Sequence, residues 1–259
     1  MRETLHAEWA KLRTLPGTGW LLTGVVLLTV APGAVAVTSA HCTSAAACGL
    51  DPARLSLTGV ALGQAVAAAL GVLMIAGEYS TGLIRTTLVA VPRRGEVLVA
   101  KALLLAGLVA LAGTLAVLGC LLVGGAVLAG HGFTAAHGYP TLSTAAGPVL
   151  RAAVGSVLYL LLVALLGLGI ATALRDAATA AGAVLGLLYL FPAVADLVGD
   201  AHWQRLLQRI GPMTAGLDVQ ATTGLHALPI GPWAGLGVLA AWSAAALLVG
   251  GVLFRLRDA

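Results

Sequence analysis

Six stretches of this chain are long, apolar and nearly free of charge: roughly Trp20–Ser39, Leu57–Ala76, Ala102–Gly130, Val149–Leu174, Ala177–Gly199 and Trp233–Phe254. A helix rises ~1.5 Å per residue, so about 20 apolar residues cross a ~30 Å hydrocarbon core. In lipid every backbone N–H and C=O needs an internal partner, and a run of this kind meets that need only as a helix. The expected fold class is therefore all-α: a polytopic membrane protein with six transmembrane helices. Composition agrees, with 59% hydrophobic and 9% charged residues among 259, where a soluble domain is about a quarter charged. The longest polar stretch, Asp200–Pro232, falls short of the roughly 40–60 residues a small domain needs. Residues 1–259 thus read as a single transmembrane domain. Pro192 should bend the fifth span, with Asp196 near its end. The first run ends in small residues, but its length and the polar segment before it fit a retained helix rather than a cleaved leader.

The net charge of +4 comes from only 14 Lys and Arg against 10 Asp and Glu, so it is not the footprint of a nucleic-acid binder. Their placement carries more information. With the N-terminus inside, ten cations fall inside (Arg2, Lys11, Arg13, Arg85, Arg93, Arg94, Lys101, Arg175, Arg255, Arg257) and four outside (Arg54, Arg151, Arg205, Arg209). The positive-inside rule then puts both termini in the cytoplasm, as an even number of crossings requires. The preference for Arg over Lys and the abundant Ala and Gly suggest a GC-rich bacterial genome. G-x-x-x-G spacings at Gly59/Gly63, Gly182/Gly186 and Gly231/Gly235 would let helices approach closely, although 34 glycines make some by chance.

Three segments do something other than span. In residues 1–17, Leu5, Trp9 and Leu12 form an apolar stripe with Arg2, Glu8, Lys11 and Arg13 largely off it. This predicts an amphipathic helix lying in the cytoplasmic interface with Trp9 at headgroup level; the plainer alternative is a positively charged flank of the first span. Residues 77–101, "GEYSTGLIRTTLVAVPRRGEVLVAK", hold Glu78, Arg85, Arg93, Arg94, Glu96 and Lys101. Leu83–Val91 is too short to span and Pro92 stops a helix there. Taken alone, this loop reads equally as a solvated basic loop or a docking surface. In residues 200–232, Trp203, Leu206, Leu207 and Ile210 oppose Gln204, Arg205, Gln208 and Arg209. That pattern predicts an amphipathic helix on the outer leaflet ended by Gly211-Pro212, serving either as a cap on the bundle or as a substrate gate.

The loop "GEYSTGLIRTTLVAVPRR", followed by "AK" at the third span, resembles the cytoplasmic loop of ABC type-2 transporter permeases. Actinobacterial members share G-E-Y-x-x-G-x-I-R-x-T-L-x-x-x-P-R-R, and "HAEWAKLRT" is similar to their opening segment. Six spans with both termini inside fit as well. The resemblance implies a permease subunit that dimerises and docks a separate ATP-binding subunit through the N-terminal helix and this loop. Trp9, Lys11, Glu78, Arg85, Arg93 and Arg94 would then lie at or near the ATPase contact. It also implies a bacterial plasma membrane and short helices before the last span.

Other residues give weaker signals. Asp196 and Gln64 are candidate pathway residues because polar groups in spans need partners. The spacing of Cys42 and Cys48 permits a disulfide on the oxidising side, and nothing requires one. Cys120 lies inside an apolar run and reads as packing. His131 and His137 have no acidic or thiol companions, so no metal is expected, and no cofactor. The chain has no G-x-x-x-x-G-K-[ST], H-E-x-x-H or G-x-S-x-G, so any ATP hydrolysis falls to a partner and an enzyme is not expected. The sequence thus points to the permease subunit of an ATP-driven exporter. An ATP-independent carrier or channel, or a structural membrane protein, is the alternative.

Overall fold

A computed structural model describes residues 2–14, 16–40, 49–90, 93–131, 133 and 147–256. Among them the regular structure is entirely helical, and six helices are long and apolar enough to cross a membrane. The N-terminal helix α1 (Arg2–Thr14) precedes the first span, α2 (Pro16–Ser39). A short helix α3 (Pro52–Ser56) leads into the second span, α4 (Val60–Ser80). Then follow a short α5 (Leu83–Ala90) and the third span, α6 (Arg94–Leu128). The fourth span is α7 (Gly147–Leu174). The fifth joins α8 (Ala177–Leu185) to α9 (Phe191–Leu197), and α10 (Ala201–Ile210) and α11 (Pro212–Leu217) precede the last span, α12 (Pro232–Leu256).

The spans α4 and α7 form the centre, with 61% and 56% of their apolar windows buried against 39% or less for the other four. Helix α7 packs on α4, α6 and α12, while α2 lies across α4 and α6, and α8 fills the groove between α4 and α7. Leucines such as Leu111, Leu122 and Leu248 face outward from the bundle, as suits side chains that meet acyl chains.

Close approach at glycine sets these crossings. A Cβ on Gly71 would sit 2.0 Å from the Ala164 carbonyl oxygen, and one on Gly167 2.5 Å from that of Ala68. The α4–α7 crossing is therefore made backbone to backbone. Of the three spaced pairs in the sequence, Gly59/Gly63 acts as such a pair, both glycines pressing on Thr29 of α2. Gly235 alone of the third pair is packed, against Ala215, and Gly182/Gly186 face open space.

The fifth span absorbs its proline in a particular way. Pro192 offers no N–H and its ring crowds the preceding turn. The chain widens to a π-helical turn over Gly186–Leu190 immediately before it, which relieves the crowding without ending the helix.

Several boundaries differ from those read in the sequence. The third span begins at Arg94, not Ala102, because Arg94 and Lys101 are held by neighbouring helices and Glu96 by Arg93 at the helix start. Residues 77–101 are therefore mostly helical: the end of α4, the whole of α5 and the start of α6. The turn between α4 and α5 is made at Gly82, whose φ of 72° is left-handed and favours glycine. The helix expected in residues 200–232 is α10. It is capped by Asp200, which accepts from the His202 and Trp203 amides at 2.7 and 3.2 Å, and Trp203, Leu206 and Ile210 are exposed along it.

Helix α1 and the last turn of α12 lie at the same end of the bundle, with Lys11, Arg94, Lys101 and Arg175, and this is the end that the positive-inside rule expects to face the cytoplasm. At the opposite end, Asp51 caps α3 and accepts from the Thr222 hydroxyl at 2.6 Å and the Thr223 amide at 3.0 Å. That carboxylate ties the entry to α4 to the segment before α12. Cys42, Cys48 and His137 lie outside the described residues. Cys120 is buried and unpaired by disulfide, with its thiol 3.5 Å from the Thr29 carbonyl.

Candidate functional site: a charged cluster at the inner end

Helix α1 carries Glu3 in its first turn and Lys11 and Arg13 in its last, the arrangement a helix dipole favours. The face it turns to the bundle is not the apolar stripe of Leu5, Trp9 and Leu12. Thr4 and Glu8, one turn apart, are the buried pair, Leu12 is half-buried beside them, and Trp9 is 47% exposed. The reason lies on α6: Lys101 is buried, and a buried ammonium requires counter-charge more strongly than an indole requires cover.

Lys101 donates to Glu8 Oε2 at 2.6 Å, Glu78 Oε1 at 2.8 Å and the Met74 carbonyl at 3.3 Å. Lys11 donates to Glu8 Oε1 at 2.9 Å, Glu78 Oε1 at 2.9 Å and Thr87 Oγ1 at 3.0 Å. An ammonium has three N–H donors, and each of these two meets three acceptors among the described residues. Two lysines and two glutamates leave the cluster neutral. It draws together α1 (Glu8, Lys11), the end of α4 (Met74, Glu78), α5 (Thr87) and the start of α6 (Lys101). Burial pushes the Glu8 carboxyl up, but Lys101 and Lys11 beside it outweigh burial and hold it below its ordinary value. Burial likewise pushes the Lys11 ammonium down, and Glu8 and Glu78 more than offset this and raise it. The mutual stabilisation is thus present from above the ordinary carboxylate range up to the lysine range. It is lost as pH falls through the depressed Glu8 value or rises through the raised Lys11 value.

The same end is knitted further. Arg94 donates to the Phe254 carbonyl at 3.0 Å, fastening the start of α6 to the end of α12. Arg175, in the turn between α7 and α8, stands over the Tyr79 ring at 5.5 Å. It holds a left-handed backbone with φ of 61°, which costs a non-glycine residue about 1 kcal/mol.

The structure sorts the residues that the resemblance implicated. Glu78 and Lys11 belong to the internal cluster, and Arg94 is half-buried on α12. Arg93 is exposed and pairs locally with Glu96 at 3.0 Å. Arg85 lies on α5, and its side chain is outside the description. Helix α5 is two-sided: Ile84 is buried and Thr87 is held by Lys11, whereas Val89 on the opposite side is 85% exposed; Leu83, at the start of the helix, is 51% exposed. Glu8 and Lys101, the two most buried members of the cluster, stand in the sequence only as an off-stripe polar residue and a topology charge. The available signal was Lys101 itself, a lone cation directly abutting a long apolar run.

The two candidate pathway residues lie near the other end. Gln64 is fully buried; the Tyr159 hydroxyl donates to its Oε1, and its Nε2 approaches the Ala61 carbonyl and Met213 Sδ, both at 3.1 Å. Tyr189 also donates to the Ala61 carbonyl, at 2.5 Å. This node joins α4, α7, the fifth span and α11. Asp196 is exposed and lines an outer cleft of about 550 Å³ whose wall includes Met213. Met213 thus stands between the two. Among the described residues no three His, Cys, Asp or Glu side chains group as metal ligands.

No protein-family model matches the chain, and no curated protein matches it.

Proposed function

We propose that this multi-pass membrane protein is the permease subunit of an ATP-driven exporter of the ABC type-2 kind, working as a dimer in a bacterial plasma membrane with a separate ATP-binding subunit. The observation that carries this reading is the two-sided helix α5. One side is fastened to α1, α4 and α6 through the Lys11–Glu78–Lys101–Glu8 cluster. The opposite side presents Val89, 85% exposed, at the end assigned to the cytoplasm, and Leu83 at the start of the helix is exposed as well. A helix held in this way passes a push on its free face directly to the starts and ends of spans, instead of yielding as a loose loop would. The G-E-Y-x-x-G-x-I-R-x-T-L-x-x-x-P-R-R resemblance supports the same assignment, because it falls on this element.

In the mechanism, closure of the ATP-binding subunits presses on α5 and α1, and the cluster transmits the load to α4 and α6. The shift between inward- and outward-open states can be no larger than the partner's differential affinity for them.

The reading is tested by purifying the chain from its own membranes in mild detergent. An ATP-binding polypeptide should co-purify in stoichiometric amount. Val89→Glu, which puts a charge on the free face of α5 and touches nothing in the cluster, should reduce that yield by about tenfold or more. Absence of any ATP-binding partner with the unaltered chain would overturn the proposal.

A further inference from the structure

The outer cleft has features of a built binding site, and they are independent of what drives the protein. Its volume of about 550 Å³ falls within the ~300–1,000 Å³ of small-molecule sites. Its wall is assembled from separate parts of the chain: Arg54 on α3, Asp196 on α9, Gln208 on α10, Met213 on α11, Asp218 in the following 3₁₀ turn, and Leu228. The Asp51 clip to Thr222 and Thr223 and the Arg209 Nε–Pro229 carbonyl bond of 2.7 Å hold these parts in place.

Asp218 is the unusual member. Its side chain is only 7% exposed, yet its one ion pair among the described residues, to Arg54 Nη2, is 3.8 Å long. That exceeds hydrogen-bonding distance, and Arg54 is itself half in solvent. A carboxylate this enclosed ordinarily accepts close, charge-assisted hydrogen bonds. Here it borders an open cleft instead. Among the described residues, the charged groups lining the cleft are two carboxylates, Asp196 and Asp218, against one guanidinium, Arg54, so its balance favours a cation. Pro192, Met213, Leu217 and Leu228 add apolar wall.

We infer that this cleft is a binding site for a small organic monocation, a primary or secondary ammonium on an apolar body, with Asp218 accepting from its N–H. The ammonium donates to the Asp218 carboxylate at the depth of the cleft and displaces the loose Arg54 contact. The apolar body lies along Met213 and Leu228, and Asp196 at the exposed side contributes attraction at longer range.

The test uses the detergent-solubilised full chain at neutral pH and three probes of one shape and different charge: phenylbutylammonium, phenylbutanol and phenylbutanoate. Titration calorimetry should show the ammonium binding about tenfold or more tighter than the alcohol, and the carboxylate weakest. Asp218→Asn should remove that preference, and Asp196→Asn should reduce it by a smaller factor. Arg54→Gln, which removes the competing cation from a half-exposed position, should tighten ammonium binding, and this arm holds even if Asp218→Asn does not fold. Equal binding of all three probes would mean partition into the micelle and would overturn the site. Preference for the carboxylate would replace it with an Arg54-led anion site. Ammonium binding unchanged in Asp218→Asn, or unchanged or weakened in Arg54→Gln, would equally overturn it.

Discussion

Lys101 sits two turns into a membrane-spanning helix with its ammonium almost wholly enclosed, and what makes this tolerable is the pair of carboxylates brought to it from other elements. Removing one member of such a cluster leaves the others charged and unpaired, at a cost of about 3–5 kcal/mol. Lys101→Met should therefore destabilise the inner end by that order, seen as a lower thermal unfolding midpoint and as earlier proteolysis of α1. Glu8→Gln added to Lys101→Met should recover part of the loss, since the second change removes a carboxylate the first has orphaned. If the double variant is less stable than Lys101→Met alone, the pairing is not what holds α1 down. At the opposite end, burial pushes the Asp218 carboxyl up to about 6 from 3.8, against the pull of Arg54. A raised folded value means the native state holds the extra proton, so this group's contribution to stability is greatest below 3.8 and is lost as pH rises through about 6. Asp218→Asn should raise the unfolding free energy at neutral pH by ~1 kcal/mol or less once solvent screening is allowed for. Its advantage should grow between about pH 4 and 6 and then level off; a pH-independent difference would contradict the assignment.

At the scale of elements, the spans were legible because length and apolarity are properties of a segment alone. What joins one segment to another was less so. The apolar run marks α6 only from Ala102, about two turns past its start, since Arg94 and Lys101 look like loop residues until the Phe254 carbonyl, Glu8 and Glu78 are seen beside them. The inward face of α1 is hidden for the same reason: periodicity finds an apolar stripe, but the buried partner of Glu8 lies 93 residues away. Glycine spacing was also ambiguous. Gly71 and Gly167, which make the central crossing, belong to none of the spaced pairs noted in the sequence, whereas Gly182/Gly186 do and contact nothing within the chain. Gly71→Val should therefore disrupt the α4–α7 crossing by several kcal/mol, because the added atoms meet backbone that cannot move aside. Gly182→Val should leave the isolated chain's unfolding free energy within about 1 kcal/mol of the original. The pair of midpoints checks the crossing, and equal loss from both substitutions would contradict it.

For the whole molecule, two polar structures stand at opposite ends of one apolar bundle. The inner cluster binds α1, α4, α5 and α6 into a unit, and the Gln64–Tyr159–Met213 node binds α4, α7 and α11 just beneath the outer cleft. Helix α4 belongs to both, with Gln64 and Glu78 four turns apart along it. A load applied to α5 therefore has a continuous, rigid path to the outer end. This path has functional meaning only if something pushes on α5. The most direct measurement is photocrosslinking from a benzoylphenylalanine placed at Val89, on the exposed face of α5, in membranes of the native host. Crosslinks from Leu248, which faces outward from the middle of the last span, serve as the comparison. The account predicts that Val89 yields an adduct whose peptides include a phosphate-binding loop of an ATP-binding polypeptide's own chain, and that Leu248 yields none. If Val89 gives only lipid adducts, or none, while the protein is inserted at normal abundance, α5 is not a docking surface and the exporter reading fails.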